Sequence, residues 1–215
     1  MAGGKADYLE SAQLNESLGG TAYAAPATTY VALYSASPTD ASAGTELAGG
    51  GYARVAVTNN TTNWPAGNPK SNGTAVTFPV ATADWSRAYS WQILDASSGG
   101  NRMYWGPLAQ NIKTAVVNDT TNDTFFLPAH GWANDTILRV FTHPSNALPS
   151  PLTEDTRYWV ISSATDTFKL ATSSGGAAVN LTALGFVEVG EDKSLVVSSG
   201  GQASFGVGAL VIQDD

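Results

Sequence analysis

The stretch TTYVALYS, residues 28–35, decides the fold class because its apolar side chains alternate between two faces. Val31 and Leu33 lie on one face of the predicted strand, whereas Ala32 and Tyr34 lie on the other. The same pattern recurs in YARVAV (52–57), TAVTFPV (74–80), YSWQILD (89–95) and RMYWGPL (102–108), with turn segments such as SSGGN (97–101) between them. We therefore predict an all-β protein with a β-sandwich or jelly-roll-like main domain.

One short helix is predicted near the N-terminus, in KADYLESAQLNESLGG (residues 5–20). Asp7 and Glu10 favour its start, since carboxylates stabilise the N-terminal end of a helix, and the pair Gly19–Gly20 favours its end. An isolated helix of this length is marginally stable, so it needs a surface to lie on. Its large apolar residues are the candidate contacts of the helix with such a surface: Tyr8, Leu9, Leu14 and Leu18.

The segment 117–190 is a compact series of short predicted strands. It is predicted to be a small inserted β domain of four or five strands. It contains both histidines of the chain. The main domain is then discontinuous, with residues 1–116 and 191–215. The final stretch, KSLVVSSGGQASFGVGALVIQDD (193–215), is predicted to be a closing hairpin. Four apolar residues would share one of its faces: Phe205, Val207, Ala209 and Val211.

The composition excludes several partners. Lys and Arg number 10 against 18 Asp and Glu, giving a net charge of −8, and nucleic acid is not expected because phosphates are bound through basic residues. The absence of cysteine excludes disulfides and thiolate metal sites. No apolar run approaches the roughly 18 residues of a membrane span, so no membrane partner is expected. MAGGKADYLE lacks a signal-peptide core, so we expect synthesis in the cytosol.

The two histidines, His130 and His143, raise the question of a metal or catalytic site around LPAHGWANDT (127–136). Asp135 would add a third ligand, but no H-x-x-x-H or H-x-x-E-H spacing is present. Gly131 provides the backbone freedom that a turn requires. We predict a turn here, no metal site and no cofactor.

Carboxylates are also interpreted as structural. Serine hydrolysis needs a positioned nucleophile, and no G-x-S-x-G elbow is present, while glycoside hydrolysis needs two opposed carboxylates. The six candidate carboxylates lie in predicted turns, where such side chains form caps and Asx turns: Asp84, Asp95, Asp119, Asp123, Glu154 and Asp155. No catalytic residue is predicted. A calcium site at Asn118–Asp123 stays open, because oxygen ligands cluster there without a complete calcium-loop signature.

Aromatic side chains are the remaining functional signal. Trp91, Trp105 and Trp159 fall in predicted strands and are assigned to the core. Trp64 and Trp132 fall in loops, where exposed aromatics stack on sugars or anchor interfaces. With His130, these two tryptophans are the candidate outward contact residues.

Two parts of the chain carry a family resemblance. The motifs ADYLE, GGTAY, YVALY, SPTD, GGGYAR, ADW and SGGQASFGVGALVI together resemble a family of small phage virion proteins of the tail or head, over 1–116 and 191–215. The segment from DTFFLPAHGW to the Gly-rich GGAAVNLTALG resembles a β module of phage structural proteins, with Trp132 and Pro151 departing from its usual pattern. The resemblance implies a non-enzymatic virion protein.

Three functions follow from this resemblance. The first is a capsid decoration or cement protein that binds the major capsid protein as a homo-oligomer, with a trimer favoured, and stabilises the capsid lattice. Its candidate capsid anchors are the apolar residues of the predicted helix: Tyr8, Leu9, Leu14 and Leu18. The second is a tail or tail-fibre protein that binds a host surface glycan through the insert. A polysaccharide depolymerase ranks last. We expect synthesis in the host cytoplasm and a position in the virion, with the capsid surface favoured and the tail as the alternative.

Overall fold

The computed structural model describes residues 4–38 and 44–212, so the predicted SPTD turn lies partly outside the described residues. The single helix of these residues, α1, spans Asp7–Gly19. The strands are β1 (Gly4–Lys5), β2 (Thr28–Tyr34), β3 (Val55–Thr58), β4 (Lys70–Ser71), β5 (Val76–Thr77), β6 (Ser90–Leu94), β7 (Arg102–Pro107), β8 (Ala109–Asp119), β9 (Thr124–Phe126), β10 (Ile137–Phe141), β11 (Arg157–Ile161), β12 (Thr167–Ala171), β13 (Gly185–Asp192), β14 (Ser204–Phe205) and β15 (Val211–Ile212). The predicted all-β class with one short N-terminal helix is confirmed.

The chain forms two compact units. Residues 4–108 and 194–212 form the sheet unit, and residues 109–193 form the barrel unit. The insert boundaries predicted from the sequence, residues 117 and 190, fall inside β8 and β13. The assignment of an inserted domain at those boundaries stays a prediction.

The sheet unit is built on a five-stranded antiparallel sheet with the order β1-β7-β6-β2-β3. The alternation in β2 separates its side chains as predicted: Val31 and Leu33 pack in the main core, while Ala32 and Tyr34 pack in a small cluster with Leu94. Two-stranded pairs, β14 with β5 and β15 with β4, complete the unit.

Aromatic side chains fill much of the core of the sheet unit. The Tyr52 ring stacks on Phe78 at 6.1 Å and meets the edge of Trp85 at 5.3 Å between ring centroids. The indole nitrogen of Trp85 donates to the carbonyl of Gly50 at 2.8 Å. Gly50 has a φ of +54°, and a Cβ there would lie 2.7 Å from the Ala83 carbonyl, so this close approach requires glycine.

The C-terminal hairpin predicted from the sequence is wrong. Strands β14 and β15 pair with β5 and β4 instead of with each other. Leu210 and Ile212 are buried, whereas Val207 and Val211 of the predicted apolar face are exposed. The segment is fixed by tertiary hydrogen bonds that a local pattern cannot show.

The barrel unit is a closed antiparallel barrel with the strand order β10-β11-β12-β9-β8-β13. Interior side chains alternate with outward ones, as the pleat requires. Ala115 and Val117 of β8 are fully buried, and the Phe125 and Phe168 rings stack in the interior with centroids 5.1 Å apart. Closure removes sheet edges, so every strand of this unit has two partners.

Candidate functional site

Helix α1 has the termini that the sequence predicted. Ala6, in an extended conformation, precedes it, and Gly20 ends it with a φ of 69° while donating its N–H to the carbonyl of Asn15. The apolar residues of the helix lie on more than one side of it. Leu9 faces the fold, and Leu18, nine residues later, lies about 180° around the helix axis.

Exposure follows this geometry. Leu9 is only 1% exposed and is a core residue, which corrects its assignment as an anchor to a partner. Leu14 is 60% exposed and Leu18 is 86% exposed, while Tyr8 at 42% lies on the flank between the two faces. Leu14 and Leu18 are four residues apart and so are neighbours on the helix surface. We call this pair the leucine face.

A cleft of about 410 Å³ lies beside the other side of α1, within the sheet unit. We call it the α1 cleft. Its walls combine the aromatic residues Tyr23, Trp64 and Tyr104 with polar side chains that include Gln13 and Asn59. This mixture of aromatic and hydrogen-bonding side chains is typical of small-molecule sites.

Trp64 is buried in the sheet unit, so its prediction as an outward contact residue is wrong. Its indole nitrogen donates to the Thr29 hydroxyl at 3.3 Å, and that hydroxyl donates to the carbonyl of Val57 at 3.2 Å. The loop that contains Trp64 folds back onto the sheet because the indole finds both apolar contact and a hydrogen-bond acceptor there.

His130 and Trp132 are also buried, and their assignment as outward contacts is wrong too. The connection from β9 to β10 carries them inward, where both rings lie against Phe168 with centroid distances of 5.1 and 5.5 Å. His130 Nδ1 accepts the backbone N–H of Trp132 at 3.0 Å, so the ring's proton is on Nε2, which donates to the Thr167 carbonyl at 3.2 Å. The predicted turn therefore contributes core side chains and offers no ligand nitrogen.

The candidate carboxylates accept hydrogen bonds from the protein itself. Asp84 binds the N–H of Ser199, Asp95 binds Asn101, and Glu154 binds the N–H of Thr142. Within 4–38 and 44–212, no group of three or more His, Asp or Glu residues is placed to hold a metal ion.

The calcium candidate at Asn118–Asp123 is a tight turn between β8 and β9. One carboxylate oxygen of Asp119 accepts the N–H groups of Thr121 and Asn122, and the other accepts the Asn122 amide at 2.7 Å. These bonds, that of the Asn122 side chain foremost, lower the pKa of Asp119. Asp123 accepts the N–H of Leu181 at 2.7 Å. Both carboxylates are thus engaged in holding the backbone.

An ionic cluster in the sheet unit involves Arg54 of the GGGYAR motif. The guanidinium binds both carboxylate oxygens of Glu46 at 2.8 Å and donates to the carbonyls of Ala96 and Gly99 in the hairpin turn. The hydrogen bond to Glu46 raises the pKa of Arg54, and burial raises the pKa of the neighbouring Tyr52 hydroxyl. This cluster ties three loops together and has a structural role.

Two features of the barrel unit were not predicted from the sequence. The first is a row of apolar side chains on the outer surface of the barrel. Val116 pairs across strands with both Phe126 and Phe186, and these two rings are 39% and 46% exposed. The second is the fully buried Arg139, which donates to Asp155 at 2.6 Å. The alternation of Phe125 and Phe126 already required one ring to face outward, but nothing local signalled a buried arginine.

The described residues include no helix long and apolar enough to cross a membrane.

The family model described as "Podophage GP4 fiber I protein gp80" matches residues 4–127, more than half of the chain. The matched region includes α1, the five-stranded sheet and the first two barrel strands, and it ends just after β9. No curated protein sequence matches the chain.

Proposed function

The chain belongs to the family of the podophage GP4 fiber I protein gp80, and on that premise we propose that it is a non-enzymatic subunit of a phage tail fibre. It is a phage structural protein by family. The fibre position is favoured by the name of the family. Docking of the subunit to another virion protein is assigned to the leucine face of α1.

The leucine face is the observation that carries the docking part of this proposal. Single exposed apolar residues are common on protein surfaces, but two adjacent leucines on the exposed side of a helix form a contact patch. Burying both would contribute roughly 3–5 kcal/mol. That is too weak for stable docking of one copy, so the proposal includes a homo-oligomer, with a trimer favoured, whose several helices bind together.

The test replaces Leu14 and Leu18 by Gln in the phage genome and measures the protein's abundance in purified particles by quantitative mass spectrometry. Gln keeps the helix propensity, and neither leucine contributes to the core, so the fold should be retained. Loss of about 3 kcal/mol of contact corresponds to incorporation reduced more than tenfold.

The matched control replaces Ser11 and Asn15, which have the same spacing on the same helix, by Gln. Incorporation of this variant should be unchanged. Wild-type incorporation of the leucine variant would remove the leucine face from the proposal. A deletion of residues 1–20 is a poorer test, because it also removes the core residue Leu9.

Capsid decoration is the second candidate, with the major capsid protein as partner. Capsid decoration is favoured by the architecture of the chain, because both units are compact. The one helix of the described residues has 13 residues and forms no coiled coil of the kind that extends a fibre. The copy number per particle separates the two candidates. A number close to that of the major capsid protein indicates decoration, and a number at the level of tail proteins indicates a fibre.

A further inference from the structure

The α1 cleft has no part in docking through the leucine face, because it lies on the opposite side of the helix. Its volume of about 410 Å³ falls within the roughly 300–1,000 Å³ of small-molecule sites. We propose that the α1 cleft binds a neutral saccharide, as a mono- or disaccharide unit of a larger glycan. The proposal does not depend on whether the protein belongs to the tail or to the head.

The aromatic walls fit the apolar faces of sugar rings. Tyr23 and Tyr104 are half-buried and line the cleft, and Trp64 contributes to its floor. Rings of this kind supply rigid apolar area at low cost in conformational entropy. A sugar ring has one apolar face, so a cleft with aromatic walls holds it while its hydroxyl groups reach the polar residues.

The polar residues supply both kinds of hydrogen-bonding group that a hydroxyl needs. The Gln13 carbonyl oxygen accepts the ammonium of Lys5 at 2.9 Å, which leaves its amide nitrogen as a donor. The amide nitrogen of Asn59 donates to the Pro26 carbonyl at 2.9 Å, which leaves its oxygen as an acceptor. The Thr61 hydroxyl, which also lines the cleft, serves as either.

The charges around the cleft favour a neutral ligand. No Asp or Glu is among its lining residues, and its one cation, Lys70, donates to the carbonyls of Pro65 at 2.9 Å and Trp64 at 3.4 Å. The ammonium is therefore already occupied by the protein. An anionic sugar would also be repelled by the net charge of −8.

Tyr23 provides an independent sign of a missing partner. Its hydroxyl is buried and makes no hydrogen bond within the described residues, whereas buried polar groups normally have a partner. Such a group is destabilising while it is unsatisfied. Tyr23 belongs to the connection between α1 and β2 and lines the cleft, so a ligand bound there is the partner that we infer for its hydroxyl.

The experiment is saturation-transfer NMR on the purified full-length protein. The probes are the methyl glycosides of glucose, galactose, rhamnose and N-acetylglucosamine, with methyl glucuronide and N-acetylneuraminic acid as anionic comparators. Saturation transfer to at least one neutral glycoside is expected, and none to the two anionic sugars.

Two variants locate the binding. Ala25→Trp fills the cleft from an exposed position and should abolish transfer, whereas Ala24→Trp, at an exposed neighbour that does not line the cleft, should preserve it. Tyr23→Phe should weaken binding about tenfold, equivalent to one hydrogen bond, without lowering stability. Tyr30→Phe, which lies outside the cleft, is its control.

Three results would overturn the proposal: no transfer to any neutral glycoside, transfer only to the anionic sugars, or equal transfer with both tryptophan variants. Unchanged affinity of Tyr23→Phe would remove Tyr23 from the site. These readouts use isolated protein, so they are separate from the particle-incorporation test of the leucine face.

Discussion

The barrel unit and the sheet unit obtain their order in different ways. In the barrel unit, strands of three to eleven residues form a continuous ladder around an apolar interior. In the sheet unit, four of the strands outside the central ladder, β4, β5, β14 and β15, have only two residues each. Long connections there are held by side chains bonded to distant backbone, as Asn72 and Arg54 show.

This difference affects how the loop residues of the two units are placed. A ladder satisfies its backbone internally, so in the barrel even loop residues such as His130 and Trp132 are drawn into the interior. Irregular connections leave clefts and exposed side chains between them. The α1 cleft is lined by residues of such connections, and the leucine face of α1 belongs to the same unit, so we expect both kinds of recognition in the sheet unit. The exposed Phe126 and Phe186 rings are the corresponding apolar surface of the barrel unit.

The largest effect is expected for Trp132→Ala, which tests whether the barrel depends on interior packing. The change removes a ring packed against His130 and Phe168 and should lower the free energy of unfolding by about 4 kcal/mol. Urea denaturation measures this. Trp159→Ala, at a half-buried position, should cost less than half as much. Equal costs would mean that Trp132 is not a core residue.

The corresponding test of the sheet unit is Asn72→Ala. The Asn72 side chain donates to the carbonyls of Thr74 and Gly206 and accepts the N–H of Leu210, each at 2.8 Å. Removing this side chain should lower the free energy of unfolding by about 3 kcal/mol, because buried backbone groups are left unpaired. Hydrogen exchange should accelerate in residues 204–212.

Asn63→Ala is the control for Asn72→Ala, since its hydrogen bonds are exposed. Asn63→Ala should lower the free energy of unfolding by about 1 kcal/mol or less. If both variants cost the same, long-range side-chain bonds do not hold the C-terminal segment.

A smaller effect is expected for Asp155→Asn in the barrel. The substitution leaves the buried Arg139 without a negative partner at this contact, and Asn tolerates the φ of 58° found there. We expect a loss of about 2 kcal/mol, below that of a fully buried pair because the Asp155 side chain is 25% exposed. Denaturation at pH 7 measures it. No loss of stability would mean that other partners suffice for Arg139.

The smallest effect is the pH dependence contributed by Glu191. A hydrogen bond from Asn111 lowers the pKa of this carboxyl from its ordinary 4.5. A lowered pKa means that the ionised group stabilises the fold above pH 4.5 and that this contribution is lost as the pH falls through the folded-state pKa. The stability difference between wild type and Glu191→Gln should therefore shrink on acidification. A constant difference would contradict the lowered pKa.

The sequence predicted local features well and tertiary ones poorly. The two faces of β2 and the ends of α1 follow from the period of the chain and from residue conformational preferences, so Val31, Leu33 and Gly20 were placed as the structure has them. The roles of Trp64 and Trp132 were wrong, because a loop position does not reveal whether the loop folds inward.

Contacts between distant parts of the chain gave no local signal. Asn72 bonds to Leu210 across 138 residues, so the pairing of β15 with β4 was invisible in either segment alone. The α1 cleft is likewise assembled from α1, the 20–27 connection and the 59–70 loop. Its residues are ordinary individually, and only the fold brings them together.

The most direct test of the fibre assignment is the number of copies of this protein per phage particle, measured by quantitative mass spectrometry against the major capsid protein. A tail-fibre subunit predicts a copy number far below that of the capsid protein and close to that of the tail proteins. A copy number approaching that of the capsid protein would contradict the fibre assignment and identify a decoration protein.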